Sequence, residues 1–562
     1  MKPTKKPRKG DPINEKPRRV DPIDEKPHRG DPIDEKPHRG DPIDEKPRRG
    51  DTLLTVDFIY GHTKSTGMKN LAKDTAIYGV SSIIGRFLNW MLVPLYTRIL
   101  QSTGEYGVVT NIYGWIALLL VILTYGMETG FFRFINKKEE QEPIRVYATT
   151  LYSIAFTSFL FIAGVFLFHN PVSSALGYGD HPEYISMMAC VVAVDAICCI
   201  PYAYLRYRCR PIRFAAIKSF NIFLNISLNL FFLVLCPKLN NSHPELIKWF
   251  YRPEYGVGYI FISNIFTTAI TFLMLMPNML PALRAKFDRQ RLKKMLRYSA
   301  PILILGAAGI FNQTAASILF PFLFEDRGLA ESQLGIYGGC LKIAVVMIMF
   351  IQAFRYAYEP FIFAKNKDSD NKKSYIEAMK YFVIFSLVIF LGVMFYIDVI
   401  KHFVESEYYS GLSVVPIVML GELFFGVYFN LSVWYKLTDK THWGAYFSIA
   451  GCALTVAIII GFVPHYGFIA CAWASFASNL LMMLLSYFIG QKKFPVAYNL
   501  RSALFYISIA AAFYAVAMLP TIESTFLRLA YRTVFLIVFF AIIIKKDLPS
   551  FPKKNHEPVK PS

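Results

Sequence analysis

A chain of 562 residues that is 54% hydrophobic and only 18% charged is not a conventional soluble protein, which at that length would clothe several domains in charge. Its net charge of +20 would suggest nucleic acid if it lay on one soluble face, but the Lys and Arg sit in short segments between apolar runs. That distribution is the pattern of a polytopic membrane protein and argues against nucleic acid as a partner. The eight cysteines lie mostly within or beside apolar runs, with no CxxC pair and no Cys/His cluster, so no metal site, disulfide framework or cofactor is expected.

Residues 11–50 repeat a ten-residue unit of the type DPIDEKPHRG, with two prolines, mixed charge and a lone Ile in each copy. No apolar face can form from such a unit, so residues 1–67 are expected to be a disordered cytoplasmic tail. The RGD triplets read as the seam of the repeat rather than as an adhesion motif. No apolar core follows the basic start, so no secretory signal is expected. From Met68 the chain reads MKNLAKDTAIYGV, a short basic lead into the first span, and native translation is expected to begin there.

Beyond residue 70 fourteen apolar segments are long enough to cross a bilayer. The first, 75–97, carries Arg86 in mid-span with Ser82, Asn89 and Pro94. An ionised group at that depth costs about 2.5–3.5 kcal/mol on insertion scales, so Arg86 should face protein or a wet cavity. The second, 107–129, ends at Glu128, which is expected to pair structurally with Arg133. The third is 147–168, and the fourth, 185–205, contains Asp195. The fifth, 214–236, carries Lys218, Asn221, Asn225 and Asn229 on one face, either as hydrogen-bonding glue or as cavity lining. After the sixth, 256–277, comes the basic connection LRAKFDRQRLKKMLRY. The seventh, 298–323, opens with Pro301 and a GAAG run and holds Asn312, Gln313, Thr314 and Ser317. The eighth, 335–357, carries Lys342, with Gln352, Arg355 and Glu359 toward its inner end; Arg355 either lines the cavity or pairs with Glu359. The ninth and tenth are 377–398 and 412–434, the latter with Glu422. Asp195 and Glu422 are the deepest acids, each a counter-ion to a buried base or a proton or sodium site. The remaining segments are 443–463, 466–489, 501–520 and 526–544, the last two with almost no polar residue inside.

Basic residues crowd alternate connections, whereas HNPVSSALGYGDHPEY at 169–184 and PHYG at 464–467 contain no Lys or Arg. The positive-inside rule therefore predicts both termini in the cytoplasm. The fold class expected is an all-α polytopic membrane protein of about fourteen transmembrane helices, arranged as two six-helix bundles around a central cavity plus two extra C-terminal helices. The divisions fall at 68–283 for the first bundle, 284–297 for a basic cytoplasmic linker, 298–490 for the second bundle, 491–546 for the extra pair and 547–562 for a cytoplasmic tail. With Arg86, Lys342 and Arg355 in its lining, the cavity is at least as basic as acidic. That favours an anionic cargo, and arginine suits phosphate because its donors form a fork.

Three stretches carry a family resemblance: IGRFLNWMLVPLYTRILQSTGEYGVV with YGMETGFFRF within 84–136, IPYAYLRYRCRPIRFAAIKSFNIFLNISLNLFF at 200–232, and LGIYGGCLKIAVVMIMFIQAFRYAYEPFIFAK at 334–365. Together they resemble Wzx-type polysaccharide or O-antigen flippases, over about residues 70–545. Those proteins belong to the superfamily of multidrug/oligosaccharidyl-lipid/polysaccharide exporters, which also holds the peptidoglycan-precursor flippase. The resemblance implies movement of a polyprenyl-pyrophosphate-linked oligosaccharide repeat unit across the bacterial inner membrane, for surface polysaccharide such as lipopolysaccharide or capsule. On that reading Arg86 with Lys342 or Arg355 holds the pyrophosphate, and Asn225, Asn229 and Gln313 offer hydrogen bonds to sugar. The partners implied are the lipid-linked substrate, membrane lipids, a coupling H+ or Na+ and a polysaccharide polymerase. No enzymatic activity is expected. A cation-coupled multidrug antiporter would want an acid deep in the first span, where this chain has Arg86. An integral-membrane polymerase or ligase would want catalytic residues in a long outer loop, and 237–255 is short. A purely structural scaffold leaves buried arginines without a role.

Overall fold

The computed structural model describes residues 84–136, 142–365, 371–438 and 440–547. The repeat segment, the Met68 start, Asp74, the tail after Asp547 and the Glu359 side chain lie outside the described residues. Among the described residues the protein is all-α. Thirteen helices among the described residues are long and apolar enough to cross a membrane, and residues 84–99 form a shorter, interrupted helical stretch ahead of them. We number these α1 (84–99), α2 (Thr103–Ile135), α3 (Pro143–Leu167), α4 (Pro182–Tyr207), α5 (Pro211–Ser242), α6 (Gly258–Leu283), α7 (Arg289–Phe322) and α8 (Arg327–Lys365). They continue as α9 (Asn371–Phe395), α10 (Ser406–Leu437), α11 (His442–Tyr466), α12 (Phe468–Lys493), α13 (Leu500–Met518) and α14 (Thr525–Asp547).

Local chemistry sets the starts and breaks. Proline opens α3, α4 and α5, at the one helical position where its missing N–H costs nothing. In α1, Pro94 follows a turn at Met91–Leu92 that interrupts the helix, because a proline ring clashes with the carbonyl four residues back. Helix α2 breaks at Tyr125 and Gly126, both with positive φ. Helix α5 widens into a π turn over Phe231–Leu235, just past Asn229.

The basic run before the seventh span is largely helical. Asp288 caps α7 by accepting from the Arg291 N–H at 2.9 Å, and its own N–H donates to Thr149 Oγ1 at 3.1 Å. The Arg291 N–H, aided by the Arg291 charge, holds the Asp288 carboxyl below the ordinary carboxylate range. The cap therefore stabilises the protein above that range and is lost as pH falls through the depressed folded value. Asp288→Ala is expected to cost about 1 kcal/mol at neutral pH. Thermal unfolding should show that difference vanishing in acid, once pH is well below the ordinary Asp value near ~3.9.

The hydrophobic core has a telling layout. At the end that carries the turns at 100–102 and 323–326, one continuous core joins Tyr106, Ile112, Tyr184 and Phe261 to Phe320, Leu334, Tyr337 and Val415. Toward the opposite end the halves have separate cores. Phe131, Tyr147, Ile200 and Phe214 pack in the first half. Tyr358, Tyr375 and Phe429 form one cluster in the second half, and Trp434, Phe447 and Met482 form another. The halves thus share a core at one end and have separate cores at the other. Helix α7 crosses between the halves: Met295 sits in the first-half core, while the Asn312 carbonyl accepts from Thr455 Oγ1 at 2.5 Å and Ser478 Oγ at 3.1 Å on α11 and α12.

The last two helices pack chiefly on α9. They are more polar than their sequence suggested. Arg532 is 7% exposed and pairs with Asp398, while at the other end Lys380 and the Tyr506 hydroxyl both bond the Asp547 carboxylate. The apolar reading of the pair missed these residues because each meets its counter-charge on a distant element.

Candidate functional site

The predicted site residues divide between an α1–α5 face and an α8–α10 face. Arg86 is exposed on α1, and its guanidinium donates to the Gln352 carbonyl oxygen on α8. One turn on, the Trp90 indole N–H donates to the Lys342 carbonyl at 2.7 Å, and its ring stacks on Phe403 at 4.2 Å. Helix α1 therefore runs along the second half, and Arg86 bridges the two halves. Lys342 and Gln352 are about 15 Å apart along α8 at 1.5 Å per residue. Lys342 makes no ion pair among the described residues, and its ammonium is enclosed by protein. The Arg355 guanidinium stacks over the Phe429 ring at 4.8 Å, on the same ring that Lys436 approaches at 4.5 Å.

On the first half, Lys218 lies within electrostatic reach of Arg86, Arg206 and Asp195. Its ammonium sits 5.5 Å from the Tyr202 ring centroid. Asp195 accepts from Thr268 Oγ1 at 3.3 Å, so this acid has a base and a hydroxyl beside it. Glu422 differs: on α10 it lies near Tyr337, and it makes no ion pair among the described residues. No group of three His, Cys, Asp or Glu that could hold a metal occurs among the described residues.

The asparagine stripe of α5 resolves into separate roles. The Asn221 amide donates to Thr271 Oγ1 at 2.8 Å. Asn229 is fully buried; its carbonyl accepts from the Tyr96 hydroxyl at 2.9 Å, and its amide donates to the Asn225 carbonyl oxygens. Asn229 is thus glue between α1 and α5, which departs from the sugar-contact role its sequence position suggested. An enclosed amide bonded at both ends has nothing left to offer a passing hydroxyl. Asn225 keeps part of its surface, and Gln313 is exposed on α7 beside the fully engaged Asn312.

Glu128 does not pair with Arg133. Five residues apart on a helix they point about 140° away from one another at ~100° per residue. Glu128 instead bonds Arg206 on α4 and accepts from Cys199 Sγ at 3.2 Å. Arg133 lies over the Tyr298 ring at 4.1 Å. The contact between Arg86 and Gln352 could not be read from sequence, because it joins residues 266 apart. Gln352 stood out only as sharing a helical face with Arg355.

Arg86 thus links α1 to α8 through Gln352, with Lys342 and Arg355 on the same α8 helix. The structure resembles the lipid II flippase MurJ in its inward closed conformation, with a TM-score of 0.63 and 12% identity over 83% of this chain and 98% of that one. It also resembles a MATE-family multidrug transporter of the MOP superfamily in its inward-facing conformation, with a TM-score of 0.58 and 12% identity over 73% of this chain and 94% of that one. A third likeness is to the MATE multidrug transporter DinF-BH, with a TM-score of 0.55 and 14% identity over 77% of this chain and 96% of that one. At such identities these likenesses show the fold alone. No protein of curated function matches the chain in sequence. The sequence profile of the family described as "Polysaccharide biosynthesis protein" matches residues 71–364, just over half of the chain. This multi-pass membrane protein belongs to that polysaccharide biosynthesis family.

Proposed function

We propose that the protein is a flippase that carries a polyprenyl-pyrophosphate-linked oligosaccharide repeat unit from the cytoplasmic to the outer leaflet of the bacterial inner membrane. The observation that carries this reading is Arg86, an exposed arginine on a membrane helix, held by a neutral amide from the opposite half. A guanidinium bonded to Gln352 gives up one neutral hydrogen bond to accept a phosphate, whereas one locked to a carboxylate would first have to break an ion pair. Lys342 and Arg355 face the same task from α8. Asn225 and Gln313 supply exchangeable hydrogen bonds to sugar.

The proposed division into bundles at 68–283 and 298–490 lets the halves rock about their shared core, with both termini cytoplasmic. The end with separate cores then opens to the cytoplasm. Glu422, an acid without an ion-pair partner among the described residues, is the candidate for coupling to H+ or Na+. The protein acts without catalysis, beside a polymerase that consumes the flipped unit. The multidrug alternative draws on the same unpaired Glu422.

Purified protein in liposomes should expose a fluorescent polyprenyl-pyrophosphate oligosaccharide to an outside glycosidase or lectin. Ethidium efflux from everted vesicles should stay at background. Efflux of ethidium without movement of the glycolipid would replace this reading with the antiporter.

A further inference from the structure

A second cluster of charge lies where the end of α9 meets the start of α14. Asp398 accepts from Arg532 Nη1 at 2.8 Å, with Arg528 Nε at 2.8 Å and Lys401 Nζ at 3.8 Å in ion-pair range. Among the described residues it is the sole carboxylate in ion-pair range of these three cations. Arg528 also donates to the Ile522 carbonyl at 3.2 Å, and Lys401 approaches the Tyr409 ring at 5.4 Å. Arg532 is 7% exposed, and its Nε–H meets no acceptor among the described residues. Three cations share one anion, and a buried guanidinium donor is idle. Burying such an excess is costly unless a further anion joins.

The surroundings indicate which anion. Phe526 is 79% exposed, Leu527 58% and Val399 52%. All three sit within a few residues of the cluster in a chain that crosses the membrane. A soluble anion would gain nothing from that apolar rim, but an acyl chain would cover it while a phosphate met the arginines. We propose that Asp398, Lys401, Arg528 and Arg532 form a binding site for the phosphate of an anionic phospholipid, which fastens the C-terminal helix pair to α9. The site requires no assumption about the cargo.

Native mass spectrometry of the full chain in mild detergent tests this, with phosphatidylglycerol and phosphatidylcholine of equal chain length in competition. The wild type should retain one phosphatidylglycerol in preference to phosphatidylcholine. Arg528→Gln combined with Lys401→Gln leaves the Arg532–Asp398 pair in place and should lower that preference about tenfold, the loss expected for one charge-assisted hydrogen bond. Lys401→Arg should retain it. Equal retention of the two lipids by the wild type, or undiminished preference in the double variant, would overturn the proposal. So would displacement of the lipid by inorganic phosphate at equal concentration, because the site would then serve a free anion.

Discussion

Replacing Arg86 with alanine is expected to slow movement of the lipid-linked cargo severely while leaving the protein folded and membrane-inserted. The side chain is exposed, and the described contact it makes is to the Gln352 amide, so stability should change by no more than about 0.5 kcal/mol. Transport should change far more. A hydrogen bond to a charged group is worth about 1.5–3 kcal/mol, so removing the guanidinium should slow flipping by ~10- to 150-fold if one phosphate contact is lost, and further if the fork binds two oxygens. Arg86→Lys keeps the charge but loses the fork, and an intermediate rate is expected. Arg86→Gln can still bond Gln352 yet carries no charge. If the amide link alone mattered, that variant would work, and normal flipping by it would remove Arg86 from the cargo site. The assay is surface polysaccharide in cells, checked by reconstituted flipping at matched protein levels.

How far these features were legible in sequence depends on their range. The spans were readable because a hydrocarbon slab demands an unbroken apolar stretch from each helix separately. Their ends read short. Helices α2 and α5 run on to Ile135 and Ser242, where polar residues are no longer penalised and hydropathy stops reporting helix. The same effect makes the basic stretch from Arg289 look like a loop when it is the first turns of α7. Polar faces were legible as faces: Asn221, Asn225 and Asn229 do share one. What each face meets was not. Asn229 is consumed by Tyr96, 133 residues away, and Arg532 answers Asp398 at a separation of 134. Such pairings depend on how helices are laid side by side, and a single sequence carries no trace of it. The Glu128–Arg133 pairing failed for a different reason, since helical spacing alone argued against it.

The largest conformational effect is expected where α2 and α8 touch. A Cβ on Gly335 would run into the Thr103 carbonyl oxygen, and a Cβ on Gly107 into the Glu331 carbonyl oxygen. These obstacles are backbone, so no rotamer change relieves them. The crossing is held by a Thr103 Oγ1–Ser332 Oγ hydrogen bond of 2.7 Å, and Arg327 at the start of α8 donates to the Leu176 carbonyl in the α3–α4 connection at 2.6 Å. All of this lies at the end where the two halves share one core. Gly335→Val should force the helices apart there, because overpacking costs about 1–3 kcal/mol even where side chains can yield. If the halves exchange between closed and splayed arrangements, a penalty of ~3 kcal/mol borne by only one of them changes their ratio more than a hundredfold. The variant should therefore stall in the splayed form and lose flipping. A cysteine replacing Ser332, in a chain whose exposed Cys209 is changed to serine, should react much faster with a membrane-impermeant thiol reagent when Gly335→Val is added. Gly392→Ala on α9 meets nothing within 4 Å and should behave as wild type. A protected cysteine and a wild-type flipping rate in Gly335→Val would mean that the closed end never opens during transport.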